Sequence, residues 1–163
     1  FHDLIEAFEI AHPPDMKLVI AGAAPPEDRY AAQLLRKRSD RVFFAGFQTA
    51  ANLRALYENA ALFVHASYME GFALVILEAL SAGAPVILSD ITANREFDLE
   101  EHLYFPVGDV YALAEKLAPG NYEVYACARS NEVLRENNWD EIARRHLKIF
   151  SASVGQDTPL IAA

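Results

Sequence analysis

The chain has 163 residues with 23 acidic and 14 basic side chains, a formal net charge of −9. That is one domain's length, and 53% hydrophobic against 23% charged residues excludes a disordered or low-complexity chain. The acidic balance excludes phosphate-backbone binding to nucleic acid, which needs clustered Lys and Arg, and argues against an anionic membrane as the main partner.

In chain order, Asp3 to Ala11 places Leu4, Ala7, Phe8 and Ala11 at helical spacing. His12-Pro13-Pro14-Asp15 ends that helix, because proline cannot continue the ladder. Lys17 to Ala21 is a short strand closed by Gly22. Pro25 and Pro26 suit the start of a helix over Glu27 to Lys37, with Tyr30, Leu34 and Leu35 on its inner side. Arg41 to Ala45 is a second strand, closed by Gly46, and Thr49 is an N-cap for a helix through Asn59 that faces Leu53, Leu56 and Tyr57 inward. Ala61 to His65 reads as strand, Gly71 to Ala82 as helix, Pro85 to Leu88 as strand and Leu103 to Phe105 as a short last strand. Gly108-Asp109 caps a helix through Leu117, and two more helices span Tyr122 to Asn137 and Trp139 to Ser153. From Gly155 onward there is no pattern, so residues 154–163 are expected to form a disordered tail.

Short apolar strands separated by helices predict an α/β domain over residues 1–153: a Rossmann-like parallel sheet with helices on both faces. Ligands bind such sheets at the carboxyl ends of the strands. The apolar run from Phe72 to Leu88 is too short for a membrane span and carries Glu78 in its middle. A single cysteine, Cys127, permits no intrachain disulfide and fits a reducing, cytoplasmic setting.

The chemistry is expected after the Ala61–His65 strand, where Glu70 precedes the helix and Glu78 lies eight positions on. Gly71 permits tight backbone geometry and close approach of a ligand. The free amides of Phe72, Ala73 and Leu74 favour an anion. Glu78 is the sole charge of an apolar helix, and a buried carboxylate needs hydrogen-bond partners. Ligand hydroxyls would serve, as would a solvent gap or a core arginine. His65 ends a strand beside this loop, either polarising a ligand or serving the fold. The five histidines have no i, i+4 metal spacing and no close pair of aspartates exists, so neither a metal nor a cofactor is implied.

The run Glu70 to Asp90 (EGFALVILEALSAGAPVILSD) resembles the signature of the family 4 retaining glycosyltransferases, in the nucleotide-sugar-binding C-terminal domain of their GT-B fold. The matching positions are Glu70, Gly71, Phe72, Glu78, Ala79, Gly83, Pro85, Val86 and Ser89, with Glu96, Phe105 and Asp109 following in order. Leu18 to Gly22 and Arg41 to Phe47 resemble the strands before it. The resemblance covers roughly Asp3 to Phe150. Ala73 and Val75 depart from it, standing where the family often has glycine and proline.

The resemblance implies a glycosyltransferase working on a nucleotide-sugar donor, without a metal. Glu70 would be the catalytic-site residue, contacting the donor sugar. Phe72, Ala73 and Leu74 would offer amides beside Gly71, Glu78 would take the ribose hydroxyls, and Gly46, Phe47 and Gln48 would line the base. No carboxylate stands between Gly46 and Ala51 to pair with guanine, which leans toward a UDP-sugar. The family's first strand, its diphosphate-holding Arg and Lys and its acceptor-binding domain all precede a helix like Asp3–Ala11. The chain is therefore expected to be a fragment, inactive alone, whose acceptor (sugar, lipid or protein) is held mainly by a missing N-terminal domain. A non-catalytic nucleotide-sugar-binding module and a GT-B sugar epimerase are the alternatives.

Overall fold

The computed structural model describes residues 1–118 and 122–154. Five strands are interleaved with helices: α1 (His2–Ala11), β1 (Leu18–Ala21), α2 (Arg29–Leu35), β2 (Val42–Gly46), α3 (Ala50–Glu58), β3 (Phe63–His65), α4 (Leu74–Ser81), β4 (Val86–Ser89), α5 (Thr92–Arg95), β5 (Tyr104–Phe105), α6 (Val110–Leu117), α7 (Ser130–Glu136) and α8 (Trp139–Val154). All strand pairs are parallel, and Phe63, Val64 and His65 of β3 lie beside Val86, Ile87 and Leu88 of β4. The α/β class with parallel strands is as expected. β1 pairs with β2, and β3-β4-β5 form a separate sheet.

The three-stranded sheet is buried on both faces. Val86 and Leu88 point into a core with Ile76, Ala79 and Leu80 of α4. Ile87, between them, points the other way, into a core with Leu4, Ile5 and Phe8 of α1 and Leu113 and Leu117 of α6. That second core also takes Ile20 of β1 and Val42 of β2, so α1 packs against both sheets. The opposite face of the two-stranded sheet is open: Val19 and Phe43, cross-strand partners, are 43% and 51% exposed. The helix between β2 and β3, α3, packs instead on α4, with Tyr57 edge-on to Phe63.

Two caps read from sequence are present. Thr49 Oγ1 accepts from Asn52 N–H at 3.3 Å, and Asp109 Oδ1 accepts from Ala112 N–H at 2.9 Å. Since α6 packs on α1 in the shared core, Asp109→Ala is expected to cost the whole domain ~1 kcal/mol, readable in urea unfolding.

Other boundaries moved. Asp28, rather than the proline pair, caps α2, accepting from Ala31 N–H at 3.0 Å. Only Leu34 of its three apolar residues is buried; Tyr30 and Leu35 are exposed. In α3 nothing is fully buried, and Leu56 is exposed. Leu103 belongs to a 3₁₀ turn before β5. The helix expected over Tyr122–Asn137 is a 3₁₀ turn, Tyr122–Tyr125, followed by α7. The break has a tertiary cause. Ala128 N–H donates to Glu100 Oε1 at 3.1 Å, and the Arg129 guanidinium is held by Asp98 and Glu132. The tail from Gly155 lies outside the described residues, and no helix among them is long and apolar enough to cross a membrane.

Candidate functional site

The loop that follows β3 is fastened to the end of β4. Ser89, the last residue of β4, is 1% exposed; its Oγ donates to Ser67 O at 2.6 Å and accepts from Ser67 N–H at 3.1 Å. Asn94 of α5, fully buried, donates from Nδ2 to Ser89 O at 2.8 Å and to Ser89 Oγ at 3.2 Å. Arg95 then clasps Asp90 and Glu101, 2.6 Å and 2.5 Å away, and lies over the Tyr104 ring. Its hydrogen bonds draw the Asp90 and Glu101 carboxyls below their ordinary values. Tyr68 reaches the start of α1, donating to Asp3 Oδ2 at 2.5 Å. The carboxyl ends of β3, β4 and β5 and the start of α1 thus form one knitted surface.

Glu70 stands at this edge, its Oε1 3.4 Å from Nε2 of His65, the last residue of β3. At Gly71 the main chain is open to close approach. Its φ is not in the left-handed region, and an added Cβ would meet nothing within 4 Å. What Gly71 leaves is open space beside the main chain. Gly46, by contrast, has φ 68°, in the left-handed region that favours glycine.

Helix α4 starts at Leu74, three residues later than expected, because the Gly71–Ala73 segment is not helical. Leu74 N–H is already engaged by Phe72 O at 3.1 Å, so it is not a free donor. The amides of Phe72 and Ala73 make no hydrogen bond among the described residues, and no side chain caps α4. Ala73 is buried, whereas Phe72 is half-exposed with its ring 5.3 Å from that of Phe97. Glu78 lies about one turn into α4 and is exposed, which is the solvent-facing alternative and not the buried one. Its partner is the Tyr57 hydroxyl, which donates to Oε2 at 3.1 Å. No sequence signal pointed to Tyr57, which sits 21 positions away on another helix.

Burial first, then the Glu78 charge, push the Tyr57 phenol up to about 12. Folding therefore favours the protonated phenol, so stability should fall as pH rises from the ordinary value of 10.0 toward about 12. Glu78→Gln should lower the Tyr57 midpoint in an ultraviolet titration, since it removes the facing charge.

Gly46 and Phe47 stand at the carboxyl end of β2, in the other sheet. Phe47 is 79% exposed, and Gln48 is held by Ala45 O and Asn52. No hydrogen bond or ring contact joins them to Glu70, Phe72 or Glu78 among the described residues. Of the matched positions that follow, Phe105 is buried and Asp109 caps α6, whereas Glu96 is exposed at the end of α5. No group of three or more His, Cys, Asp and Glu that could hold a metal exists among the described residues.

Residues 1–119 match the family described as glycosyl transferases group 1. The chain belongs to that family. Among curated glycosyltransferases it is 28% identical over 139 residues to O-antigen chain mannosyltransferase B of Escherichia coli, covering 82% of this chain and 36% of that protein. It is 30% identical over 125 residues to D-inositol 3-phosphate glycosyltransferase of Salinispora tropica, covering 72% of this chain and 26% of that one. It thus spans about a quarter to a third of the length of these relatives. Among solved structures, HepE of Anabaena, in complex with UDP and glucose, superposes with TM-score 0.71 at 23% identity, over 94% of this chain and 44% of HepE. Sucrose-phosphate synthase of Thermosynechococcus elongatus gives TM-score 0.71 at 24% identity, over 93% and 42%. These likenesses establish the fold: a Rossmann-like α/β architecture of the GT-B type.

Proposed function

We propose that this chain is the donor-binding, C-terminal part of a retaining glycosyltransferase that moves a hexose from a nucleotide sugar to an acceptor. The observation that carries the reading is one stretch of main chain. Glu70, the unengaged amides of Phe72 and Ala73, and the uncapped start of α4 follow one another at the carboxyl end of β3. Amides at a helix start suit an anionic diphosphate. A carboxylate beside them suits hydroxyl donors rather than phosphate, so Glu70 takes hydroxyls of the donor sugar and Glu78 those of the ribose. Gly46 and Phe47 provide the wall for the base. In a retaining transfer the diphosphate leaves and the acceptor attacks the same face. The site's contribution is to position the sugar and stabilise charge on the departing group.

The two sheets fit the same reading. A parallel strand belonging to the segment before Phe1 would run between β1 and β3 and enter α1 as a right-handed β-α-β unit. The acceptor is held mainly by a further domain.

The test is transfer by the full-length protein with uridine- and guanosine-diphosphate hexoses. Mannose is the first sugar to try, because several relatives are mannosyltransferases. The expected product keeps the anomeric configuration of the donor, read by NMR of the new glycosidic bond. Inversion would refute the retaining mechanism, and donor binding without any transfer would favour a binding module.

A further inference from the structure

The His65 ring stands beside two acceptors, while the neutral imidazole carries one N–H. One acceptor is Asn94. Its Nδ2 is spent on Ser89 O and Oγ, so its Oδ1 is left as a fully buried acceptor without a partner. His65 Nδ1 is likewise buried without a partner. Asn94 lies close enough to act on the ring's ionisation, though outside good hydrogen-bond geometry. A proton on Nδ1 suits the unpartnered amide oxygen, and the 3.4 Å gap from Nε2 to Glu70 is longer than an ordinary N–H···O hydrogen bond that would hold the proton there. The neutral ring then has a bare Nε2, and Nε2 is the atom that faces Glu70 Oε1 at 3.4 Å. Two acceptors in apposition do not attract; a proton added to Nε2 turns the pair into a charge-assisted hydrogen bond. Phe63 stacks on the ring at 6.4 Å, and Glu70 is the charged group that faces it.

We infer that His65 is a positioning residue for Glu70: the neutral ring leaves the carboxylate free to turn to the donor sugar, and the imidazolium holds it back. The inference rests on the reading of Glu70 as a donor-sugar ligand. Burial depresses the His65 ionisation more than the Glu70 charge raises it, so the free state prevails at neutral pH. Acid should then remove Glu70 from service as His65 takes up its second proton. His65 acts through Glu70 and need not touch the substrate.

The experiment combines two readouts on the full-length protein. Long-range proton–nitrogen NMR of labelled imidazoles, assigned by loss of a signal in His65→Phe, reports the tautomer and midpoint of His65. The proton is expected on Nδ1 at pH about 8, with a midpoint below the ordinary 6.5. Glu70→Gln, an exposed and isosteric change, should lower that midpoint further. Donor kcat/KM should fall about tenfold for each pH unit below the wild-type midpoint, and in His65→Phe that fall should move to lower pH. A proton on Nε2 at pH 8, or a midpoint unmoved by Glu70→Gln, overturns the pairing. A pH profile unchanged in His65→Phe overturns the link to turnover. If the NMR behaves as expected but the protein binds no nucleotide sugar at any pH, the reading of Glu70 fails instead, and the donor half of this inference with it.

Discussion

The 163-residue chain alone, given any nucleotide sugar and acceptor, is expected to yield no transfer product, whereas the full-length protein should turn over. The reason lies in the sheet. In a parallel ladder, alternate residues direct their N–H and C=O groups to one neighbour. Leu18 N–H bonds Arg41 O on the β2 side, so the main chain of Val19 faces the other edge of β1. Phe63 N–H bonds Pro85 O on the β4 side, so Val64 faces the other edge of β3. Neither of these outer edges is paired among the described residues, yet Leu18, Ile20, Leu62 and Val64 all pack on the core beneath α1. Two edges of matching polarity thus share one helix, the arrangement that a strand running between them would complete. Unpaired edges template association with other chains, and the exposed pair Val19 and Phe43 adds apolar surface beside one of them. The isolated chain should therefore self-associate in light scattering, and extension through the preceding segment should return it to a monomer. Turnover by the isolated chain would refute the division of labour between domains. A monodisperse isolated chain would refute the open-edge argument.

The parts of this fold legible in the sequence are those written locally. Thr49 and Asp109 announced their helices because a cap needs only its own side chain and an amide three residues on. The strands were legible because both faces of β4 are buried and its residues are correspondingly apolar. Illegible features depend on distant partners. The break before α7 is set by Glu100 and Asp98, about thirty positions away, which outcompete a locally plausible helix. The start of α4 at Leu74 reflects the turn closed by Phe72 O, which helical spacing in the same run does not report. At the site, Glu70 and Glu78 were found through a resemblance, but their environment was not. Apolar neighbours in sequence left a buried and a solvent-facing Glu78 both open, and the helix turns Leu74, Val75 and Glu78 outward together. His65 was visible as a strand end. Its buried neighbour Asn94 was not, because the two come together only when α5 folds back onto β4.

Glu78→Gln in the full-length enzyme is expected to weaken nucleotide-sugar binding by about 1.5–3 kcal/mol, the range for hydrogen bonds to charged groups. One oxygen of Glu78, Oε2, is already taken by the Tyr57 hydroxyl. The carboxylate keeps its other oxygen and its remaining lone pairs for the ribose. Glutamine preserves shape but exchanges an acceptor for a donor and removes the charge that strengthens the bond. A 2′-deoxy or 3′-deoxy donor should suffer a comparable loss with the unmutated enzyme. Combining mutation and deoxy donor should cost less than the sum, because both remove one interaction. Since Glu78 is exposed, the substitution should leave urea unfolding nearly unchanged, which separates a binding role from a structural one. Tyr57→Phe gives the third corner of the argument. It frees Oε2 without removing the charge, so binding should weaken by less than in Glu78→Gln, and the two changes together should again be sub-additive. Glu70→Gln should differ in kind, lowering turnover more than nucleotide affinity, because its partner is the sugar. Full affinity in Glu78→Gln, with strictly additive losses across the deoxy donors, would remove the ribose from Glu78 and leave Tyr57 as its only partner.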